Sequence, residues 1–184
     1  AVLDEDEKDL GVCLIDIGGG TTDIAVFLEG AIRHSAVIPI AGDQVTNDIA
    51  VVLRTPTQAA EKIKLSSSCA LMAKTNKDDY IAVPSSSGNA SKQVPVHVLS
   101  EVVSARYSEL FNLVATELKR SGFFHLVRSG IVMTGGASLV DGGQELAENI
   151  FDMPVRIASP IGMSDKLELI DNPVFATAVG LLYS

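Results

Sequence analysis

The residues from Cys13 to Phe27 read CLIDIGGGTTDIAVF, in which an apolar run is followed by glycines and then by a second apolar run. Residues 12–17 have the continuous apolar character of a buried strand, and residues 24–28 are rich in the β-branched and aromatic side chains of a returning strand. The glycines between them supply the turn. The sequence therefore predicts a β-hairpin with bare backbone at its tip.

The tip of this hairpin has the composition of a phosphate site. Because glycine lacks a Cβ atom, successive N–H groups can approach an anion closely, and threonine hydroxyls can add donors. Asp16 ends the first strand, where a carboxylate can orient Mg²⁺ through bound water. The residues assigned to this site are Asp16, Gly18, Gly19, Gly20, Thr21 and Thr22. The alternative is a tight turn in which Asp16 and Asp23 are turn residues, but the combination D-x-G-G-G-T-T-D favours phosphate binding.

Beyond the hairpin, strand and helix patterns alternate along the chain. The predicted strands are residues 31–40, 80–83, 94–98, 131–134 and 154–158, and the predicted helices are residues 42–53, a helix beginning near residue 56, and residues 99–121, 138–151 and 172–182. The longest helix carries Leu99, Val103 and Tyr107 on one face and ends at Gly122, a residue suited to a helix stop. These are the elements of an α/β protein.

Composition limits the class of protein. The 184 residues are 47% hydrophobic, which is enough for a core in one domain or two small lobes and too apolar for a disordered chain. No apolar run approaches the length of a membrane helix, and residues 4–9 form an acidic segment rather than a basic signal sequence, so a cytoplasmic location is expected. Cys13 and Cys69 are expected to be free thiols, with Cys13 buried.

Charge is distributed unevenly along the chain. The net charge of −9 argues against a nucleic-acid surface. Residues 51–128 contain ten Lys and Arg against six Asp and Glu, whereas the remainder contains four against seventeen. Either a separate lobe with its own partner or chance clustering on a solvated surface accounts for this difference.

Two pairs of residues each permit two interpretations. Glu61 and Lys64 are three apart and share a helix face, where pattern alone favours an exposed ion pair over contacts to ribose and to sugar or phosphate. Gly135 and Gly136 follow a strand, where they either allow a strand-to-helix turn or pass beneath the α-phosphate and ribose of a nucleotide. The spacing of these two glycines suits both interpretations equally.

The motif D-I-G-G-G-T-T-D resembles the second phosphate motif of the superfamily that contains actin, the heat-shock chaperones and the sugar kinases. Within that superfamily the chain resembles the bacterial cell-division family FtsA over essentially all of its length, although it matches only the second half of that family's chain. The residues that carry the closer resemblance are Asp6-Glu7-Lys8, Leu10-Gly11-Val12, Thr134-Gly135-Gly136-Ala137 and Ala176-Thr177-Ala178-Val179-Gly180-Leu181-Leu182.

The resemblance implies an actin-like, ribonuclease H-like fold, with a mixed sheet, helices on its faces and an inserted smaller α/β lobe. Residues 1–51 and 126–184 would form the nucleotide-binding core lobe, and residues 52–125 the inserted, partner-binding lobe. The implied cofactors are ATP and Mg²⁺. Asp16 would hold Mg²⁺ through water, Glu61 and Lys64 would face the nucleoside, and Gly135 and Gly136 would lie under the nucleotide. Ser68 stands where FtsA relatives more often have glycine, next to the base.

The resemblance also implies a function. FtsA-like proteins are ATP-binding adaptors that polymerise, bind other division proteins, and tether the ring of the tubulin-like division GTPase to the inner face of the cytoplasmic membrane at the division site. The carboxyl-terminal tail of that GTPase would dock on the inserted lobe, with Arg106 taking a carboxylate and with Leu99 and Val103 holding apolar residues. The alternative is that Arg106 pairs with Glu109 or Glu101 on its own helix.

The chain should correspond to an isolated half of such a protein. The first phosphate motif and the amphipathic membrane helix are not found in it, so weak ATP binding by this half alone, and at most a weak ATPase in the full-length protein, are expected. Membrane attachment would use only the missing helix. A different class, a phosphotransferase of the sugar kinase type, shares the D-x-G-G-G-T hairpin. No carboxylate base beside a sugar pocket is apparent in the sequence.

Overall fold

A computed structural model describes residues 1–76, 78–85, 88, 90–160 and 172–182. The strands are β1 Val12–Ile17, β2 Thr22–Leu28, β3 Ala31–Ile38, β4 Tyr80–Val83, β5 Lys92–Pro95, β6 Ile131–Thr134 and β7 Val155–Ile157. The helices are α1 Glu5–Leu10, α2 Gly42–Leu53, α3 Thr57–Ser67, α4 Val96–Ser121, α5 Gly143–Phe151 and α6 Ala176–Leu182. Short 3₁₀ turns occupy Met72–Lys74, Gly136–Leu139 and Pro173–Phe175.

The main sheet is mixed, with strand order β3-β2-β1-β6-β7. β1, β2 and β3 form an antiparallel meander, while β6 and β7 run parallel to β1. In this register Asp16 lies opposite Asp23 on one side and Thr134 on the other. The tip of the glycine hairpin and the glycines after β6 therefore meet at the same end of the sheet. The mixed α/β fold expected from the sequence is confirmed.

Helices α2, α4 and α5 supply most of the core that covers one face of the sheet. Leu99 and Val103 of α4 are fully buried, as are Phe111 and Leu118 further along the same helix. Their spacings of four, eight and seven residues keep one face of a helix turned inward over its whole length. The apolar residues that recur along the sequence of α4 thus form the face that packs into the core.

Residues of the expected inserted lobe join the same core. Val83 of β4 and Val94 of β5 belong to one cluster of buried side chains with Ile15 and Ile24 of the main sheet. The small sheet β4-β5 is antiparallel and separate from the main sheet. The boundaries at residues 52 and 125 stay a prediction, and residues 161–171 and 183–184 of the expected core lobe lie outside the described residues.

The helix expected over 172–182 begins with the 3₁₀ turn Pro173–Phe175 before α6, and two further element predictions are wrong in detail. The helix expected over 138–151 is a 3₁₀ turn followed by α5, because Gly142 takes a left-handed φ of 70° and interrupts the helix. The strand expected over 94–98 ends at Pro95, and the long helix begins at Val96. Proline has no N–H group for a ladder and its fixed φ suits a helix entry. Within the described residues no helix has the length and apolarity needed to cross a bilayer.

An ion pair between Glu7 and Arg156 connects α1 to the edge strand β7. Arg156 donates from Nε to Glu7 Oε1 at 2.8 Å and from Nη2 to Oε2 at 2.6 Å. The Arg156 hydrogen bond holds the pKa of Glu7 below its ordinary value of 4.5, against the opposite effect of burial. A folded-state pKa below the unfolded value stabilises the fold above about pH 4.5, and this contribution is lost as the pH falls below it.

We therefore expect Arg156→Gln to lower the free energy of unfolding at neutral pH and to lose less stability than the wild type on acidification. Chemical unfolding at several pH values between about 3 and 7 measures the difference between the two proteins. Arg33→Gln is the control, because the Arg33–Glu29 pair is exposed and should contribute little at any pH. A stability difference that stays constant over this range contradicts the assignment.

Candidate nucleotide-binding site

A cavity of about 880 Å³ opens where the hairpin, α2, α3 and the turn after β6 converge. Its walls include Gly18, Gly19, Gly42, Asp43, Glu61, Lys64, Ser68, Cys69, Lys74, Tyr107, Gly136 and Ala137. Five of the residues expected at the site from the sequence are therefore on one cavity: Gly18, Gly19, Glu61, Lys64 and Gly136. They come from separate segments of the chain, which the fold brings together.

The hairpin tip is fixed against the start of α2. The Gly42 N–H donates to the Gly18 carbonyl at 3.1 Å, and the Asp43 N–H donates to the Gly19 carbonyl at 2.8 Å. In the described part of the chain, the N–H groups of Gly19 and Gly20 have no backbone acceptor. The tip thus presents free backbone donors from a fixed loop, which is an arrangement suited to an anion.

The two threonines of the motif have different surroundings. Thr21 is exposed, and its hydroxyl donates to Asp23 Oδ2 at 3.3 Å. Thr22 is fully buried, and its hydroxyl donates to the Ile40 carbonyl at 2.7 Å. The expectation that the Thr22 hydroxyl faces a phosphate is wrong, because β2 begins at Thr22 and turns that side chain into the core.

Asp16 lies at the end of β1, half-buried, in space that Gly135 leaves for it. Gly135 has a φ of 85°, and a Cβ atom there would come within 2.4 Å of Asp16 Oδ1. The Thr177 hydroxyl donates to Asp16 Oδ2 at 2.6 Å. A carboxylate held in this way, beside a hairpin with free N–H donors, fits the water-mediated Mg²⁺ contact that the sequence predicts.

Gly135 and Gly136 differ in what they do. Gly135 does not line the cavity, and its conformation is required for the approach to Asp16. Gly136 lines the cavity and opens the 3₁₀ turn, where a Cβ atom would lie 3.3 Å from Val174. Gly135 therefore has the structural role, which is to allow the turn after β6. Gly136 lies on the cavity, in a position that suits the expected contact beneath a nucleotide.

Glu61 and Lys64 belong to a partly buried network rather than an exposed pair. Lys64 Nζ lies 2.8 Å from Glu61 Oε2 and donates to Thr46 Oγ1 at 2.9 Å and to the Gly42 carbonyl at 3.0 Å. Thr46 also donates to Glu61. Burial raises the pKa of Glu61, but the hydrogen bonds from Lys64 and Thr46 outweigh it and lower this pKa below the ordinary value. The carboxylate stays ionised on the cavity wall.

Sequence reasoning missed several residues of the cavity. Asp43 follows Gly42 at the start of α2 and lies beside Gly19. A Cβ atom added to Gly19 would be 3.3 Å from Asp43 Oδ1. Tyr107 belongs to the buried stripe of α4, but its hydroxyl reaches the cavity wall and donates to the Ala137 carbonyl at 2.7 Å. A buried tyrosine in an apolar stripe usually has a hydrogen-bond partner, and this was the available signal.

Cys13 and Cys69 are free, as predicted, and Cys69 is buried as well as the expected Cys13. Burial raises the pKa of Cys13 to about 12. Cys69 lies on the cavity wall, and burial also raises its pKa. Both groups therefore remain protonated thiols at neutral pH.

The predicted partner residues are not placed as expected. Leu99 and Val103 have no exposed surface, so they are core residues and are unable to hold a peptide. Arg106 donates to Asp48 from Nε at 2.6 Å and from Nη2 at 3.0 Å, and from Nη1 to Glu109 at 2.6 Å. The Glu109 pairing considered from the sequence is present, and the pairing with Asp48 of α2 adds to it.

Arg106 nonetheless lies on a shallow groove between α2 and α4. The groove is lined by Asp48, Val52, Val98, Glu101, Val102, Ala105, Arg106 and Glu109. Two of its apolar residues on α4, Val98 and Val102, are one position removed from the expected Leu99 and Val103. The charged residues that line it are three acids, Asp48, Glu101 and Glu109, and the single base Arg106, so it is not a basic surface.

Comparison with solved structures defines the class of fold. The crystal structure of MreB5 of Spiroplasma citri bound to ADP has a TM-score of 0.73, with 23% identity over 97% of this chain and 54% of that chain. The MamK double helical filament has a TM-score of 0.63, with 17% identity over 94% of this chain and 54% of that chain. The fold is therefore actin-like.

Sequence comparison then identifies the family. The family model for Cell division protein FtsA matches residues 13–180, so the chain belongs to the FtsA family. The Cell division protein FtsA of Pseudomonas aeruginosa is 57% identical over 99% of this chain, and that of Escherichia coli is 44% identical over all of it. The chain spans 44% and 45% of the length of these two relatives.

Proposed function

We propose that the chain is the part of an actin-like cell-division adaptor that holds the nucleotide with its hairpin and binds a partner peptide on its helical side. The observation that carries this proposal is that hairpin glycines and Gly136 line one cavity in a chain of the FtsA family. The ADP bound to MreB5, which shares the fold, supports a nucleotide as the occupant.

In this proposal the backbone binds phosphate and side chains bind the rest. The free N–H groups of Gly19 and Gly20 would donate to phosphate oxygens, and Asp16 would hold Mg²⁺ through water. Glu61 is an ionised acceptor for ribose hydroxyls, and Lys64 fixes its position. Mg²⁺, when bound, supplies positive charge that offsets the phosphate charge beside Asp16 and Asp43.

We propose that the complete protein self-associates into filaments, as MamK does in its double helical filament. It would tether the tubulin-like division GTPase to the cytoplasmic membrane. Both activities belong to the complete protein, since relatives of this family are more than twice the length of this chain. Any ATPase activity would likewise require the whole protein.

The acidic carboxyl-terminal tail of the division GTPase would bind in the groove between α2 and α4. Val98 and Val102, rather than Leu99 and Val103, would hold its apolar residues. Arg106 would take a tail carboxylate by exchanging one of its present partners, Asp48 or Glu109, since a guanidinium carries five N–H donors in a planar fork. The other carboxylates of the groove would oppose a tail with excess negative charge and so restrict which peptides bind.

Arg106→Glu tests this assignment in the complete protein. We expect at least about a tenfold loss of affinity for the tail peptide, because the one base of the groove becomes a further carboxylate. Fluorescence anisotropy with a labelled tail peptide measures the affinity of each protein.

Arg120→Glu is the matched control for this change. Arg120 is on the same helix and also pairs with a glutamate three residues away, but it lies outside the groove. Its reversal should leave tail affinity unchanged. A folded Arg106→Glu protein that binds the tail as tightly as the wild type contradicts the groove assignment.

A sugar kinase-type phosphotransferase is the second candidate, favoured only by the shared hairpin motif. Incubation of the complete protein with candidate sugars and labelled ATP distinguishes the two functions. Transfer of label to a sugar contradicts the adaptor proposal.

A further inference from the structure

We infer that Thr177 is a positioning residue that fixes the carboxylate of Asp16 in the orientation from which it would hold Mg²⁺. The inference rests on the proposed nucleotide function and adds a residue to its site. Thr177 lies on α6, 161 residues away from Asp16 in the chain. Its Oγ1 nevertheless donates a hydrogen bond of 2.6 Å to Asp16 Oδ2.

The helix that carries Thr177 is anchored by two buried residues. Ala176 and Val179, on either side of Thr177, are buried, and Ala176 packs in the second core cluster with Val12 of β1 and Val132 of β6. Thr177 itself is exposed, but the backbone that carries it is anchored by these buried neighbours. The Thr177 hydroxyl therefore reaches Asp16 from an anchored stretch of helix.

The segment before α6 is joined to the same end of the sheet. The Pro173 carbonyl accepts hydrogen bonds from the Gly135 N–H at 3.2 Å and from Thr134 Oγ1 at 3.5 Å. Asn172 accepts from the Val174 N–H at 3.0 Å and caps the 3₁₀ turn. These bonds connect the start of α6 to the glycine whose missing Cβ makes room for Asp16.

Both oxygens of the Asp16 carboxylate are thereby restricted. Oδ2 is bonded to Thr177, and Oδ1 occupies the space beside Gly135. Among the described residues, none donates a hydrogen bond to Oδ1, so the acceptor capacity of this oxygen is unused. Partners that orient a metal-binding carboxylate raise metal affinity because less freedom is lost on binding.

The test is the Mg²⁺ dependence of ATP binding in the complete protein, measured by calorimetry in EDTA and at increasing Mg²⁺ concentration. We expect Thr177→Val to need about tenfold more Mg²⁺ for the half-maximal gain in ATP affinity. Binding in EDTA should be unchanged, because Thr177 contacts the carboxylate and not the nucleotide. Thr177→Ser restores the hydroxyl and should remain within about twofold of the wild type.

Thr116→Val is the matched control, because the Thr116 hydroxyl donates to Asn112 of its own helix, at 2.8 Å, away from Asp16. If Thr177→Val does not fold in a thermal melt, Thr177→Ala provides the same comparison. An unchanged Mg²⁺ midpoint in the folded variant, or a serine variant as impaired as the valine variant, overturns the inference alone. Wild-type binding that is independent of Mg²⁺ overturns both the inference and the proposed metal site.

Discussion

Gly135→Ala should destabilise the fold by about 3 kcal/mol or more. Gly135 has φ 85° and ψ 160°, a backbone region that residues with a side chain rarely adopt. A Cβ atom there would also lie 2.4 Å from Asp16 Oδ1 and 2.5 Å from the Ile17 carbonyl oxygen. The Ile17 contact is with backbone of a central strand, so the clash is relieved only by moving β1 or the turn after β6.

Denaturant unfolding of Gly135→Ala beside Gly20→Ala measures this cost. A Cβ atom at Gly20 has no other atom within 4 Å, so that variant should stay within about 0.5 kcal/mol of the wild type. Gly130→Ala is a second comparison, since its φ of 80° and a contact of 2.3 Å to the Pro154 carbonyl oxygen create similar strain away from Asp16. Wild-type stability of Gly135→Ala would contradict the role assigned to this glycine.

The sequence predicts the parts of the site whose structure is determined by residues close together in the chain. The strand, glycines and returning strand are contiguous, so the hairpin follows from residues 12–28 alone. The sequence alone does not predict which side of the sheet Thr22 faces. That depends on where β2 begins and on the Ile40 carbonyl, 18 residues away. The contacts of Thr177 to Asp16 and of Tyr107 to Ala137 similarly join distant segments.

The error at the partner surface has a different origin. Leu99 and Val103 belong to the apolar stripe of α4, as the sequence predicts, and residues of a buried stripe are unable to form a docking surface as well. Residues four apart share a helix face, so Val102 and Val98 are the apolar neighbours of Arg106 along the groove. The period of the α-helix alone therefore predicts Val98 and Val102 beside Arg106. The pairing of Arg106 with Asp48 required the packing of α2 on α4.

Gly19→Val should reduce the affinity of the complete protein for Mg·ATP by at least about a hundredfold while leaving it folded. The atoms nearest to a Cβ atom at Gly19 would be those of the Asp43 carboxylate, at 3.3 Å, and that side chain can move. The branched side chain would stand at the tip of the hairpin, where the N–H groups of Gly19 and Gly20 have no backbone acceptor in the described chain and are available to phosphate. Loss of two charge-assisted hydrogen bonds, each contributing about 1.5 to 3 kcal/mol, accounts for a change of this size.

Calorimetric titration with Mg·ATP, together with a thermal melt of each variant, separates lost binding from lost folding. Ala31→Val is the matched control, because Ala31 is an exposed residue at the other end of the β2–β3 ribbon and gains the same branching away from the cavity. Its affinity should equal that of the wild type. The strain at Gly135 arises within the fold, so Gly135→Ala should lose stability in the unfolding assay. The obstruction at Gly19 arises only where a phosphate would lie, so Gly19→Val should lose affinity in the titration. A folded Gly19→Val protein with wild-type affinity would mean that the nucleotide does not use the hairpin.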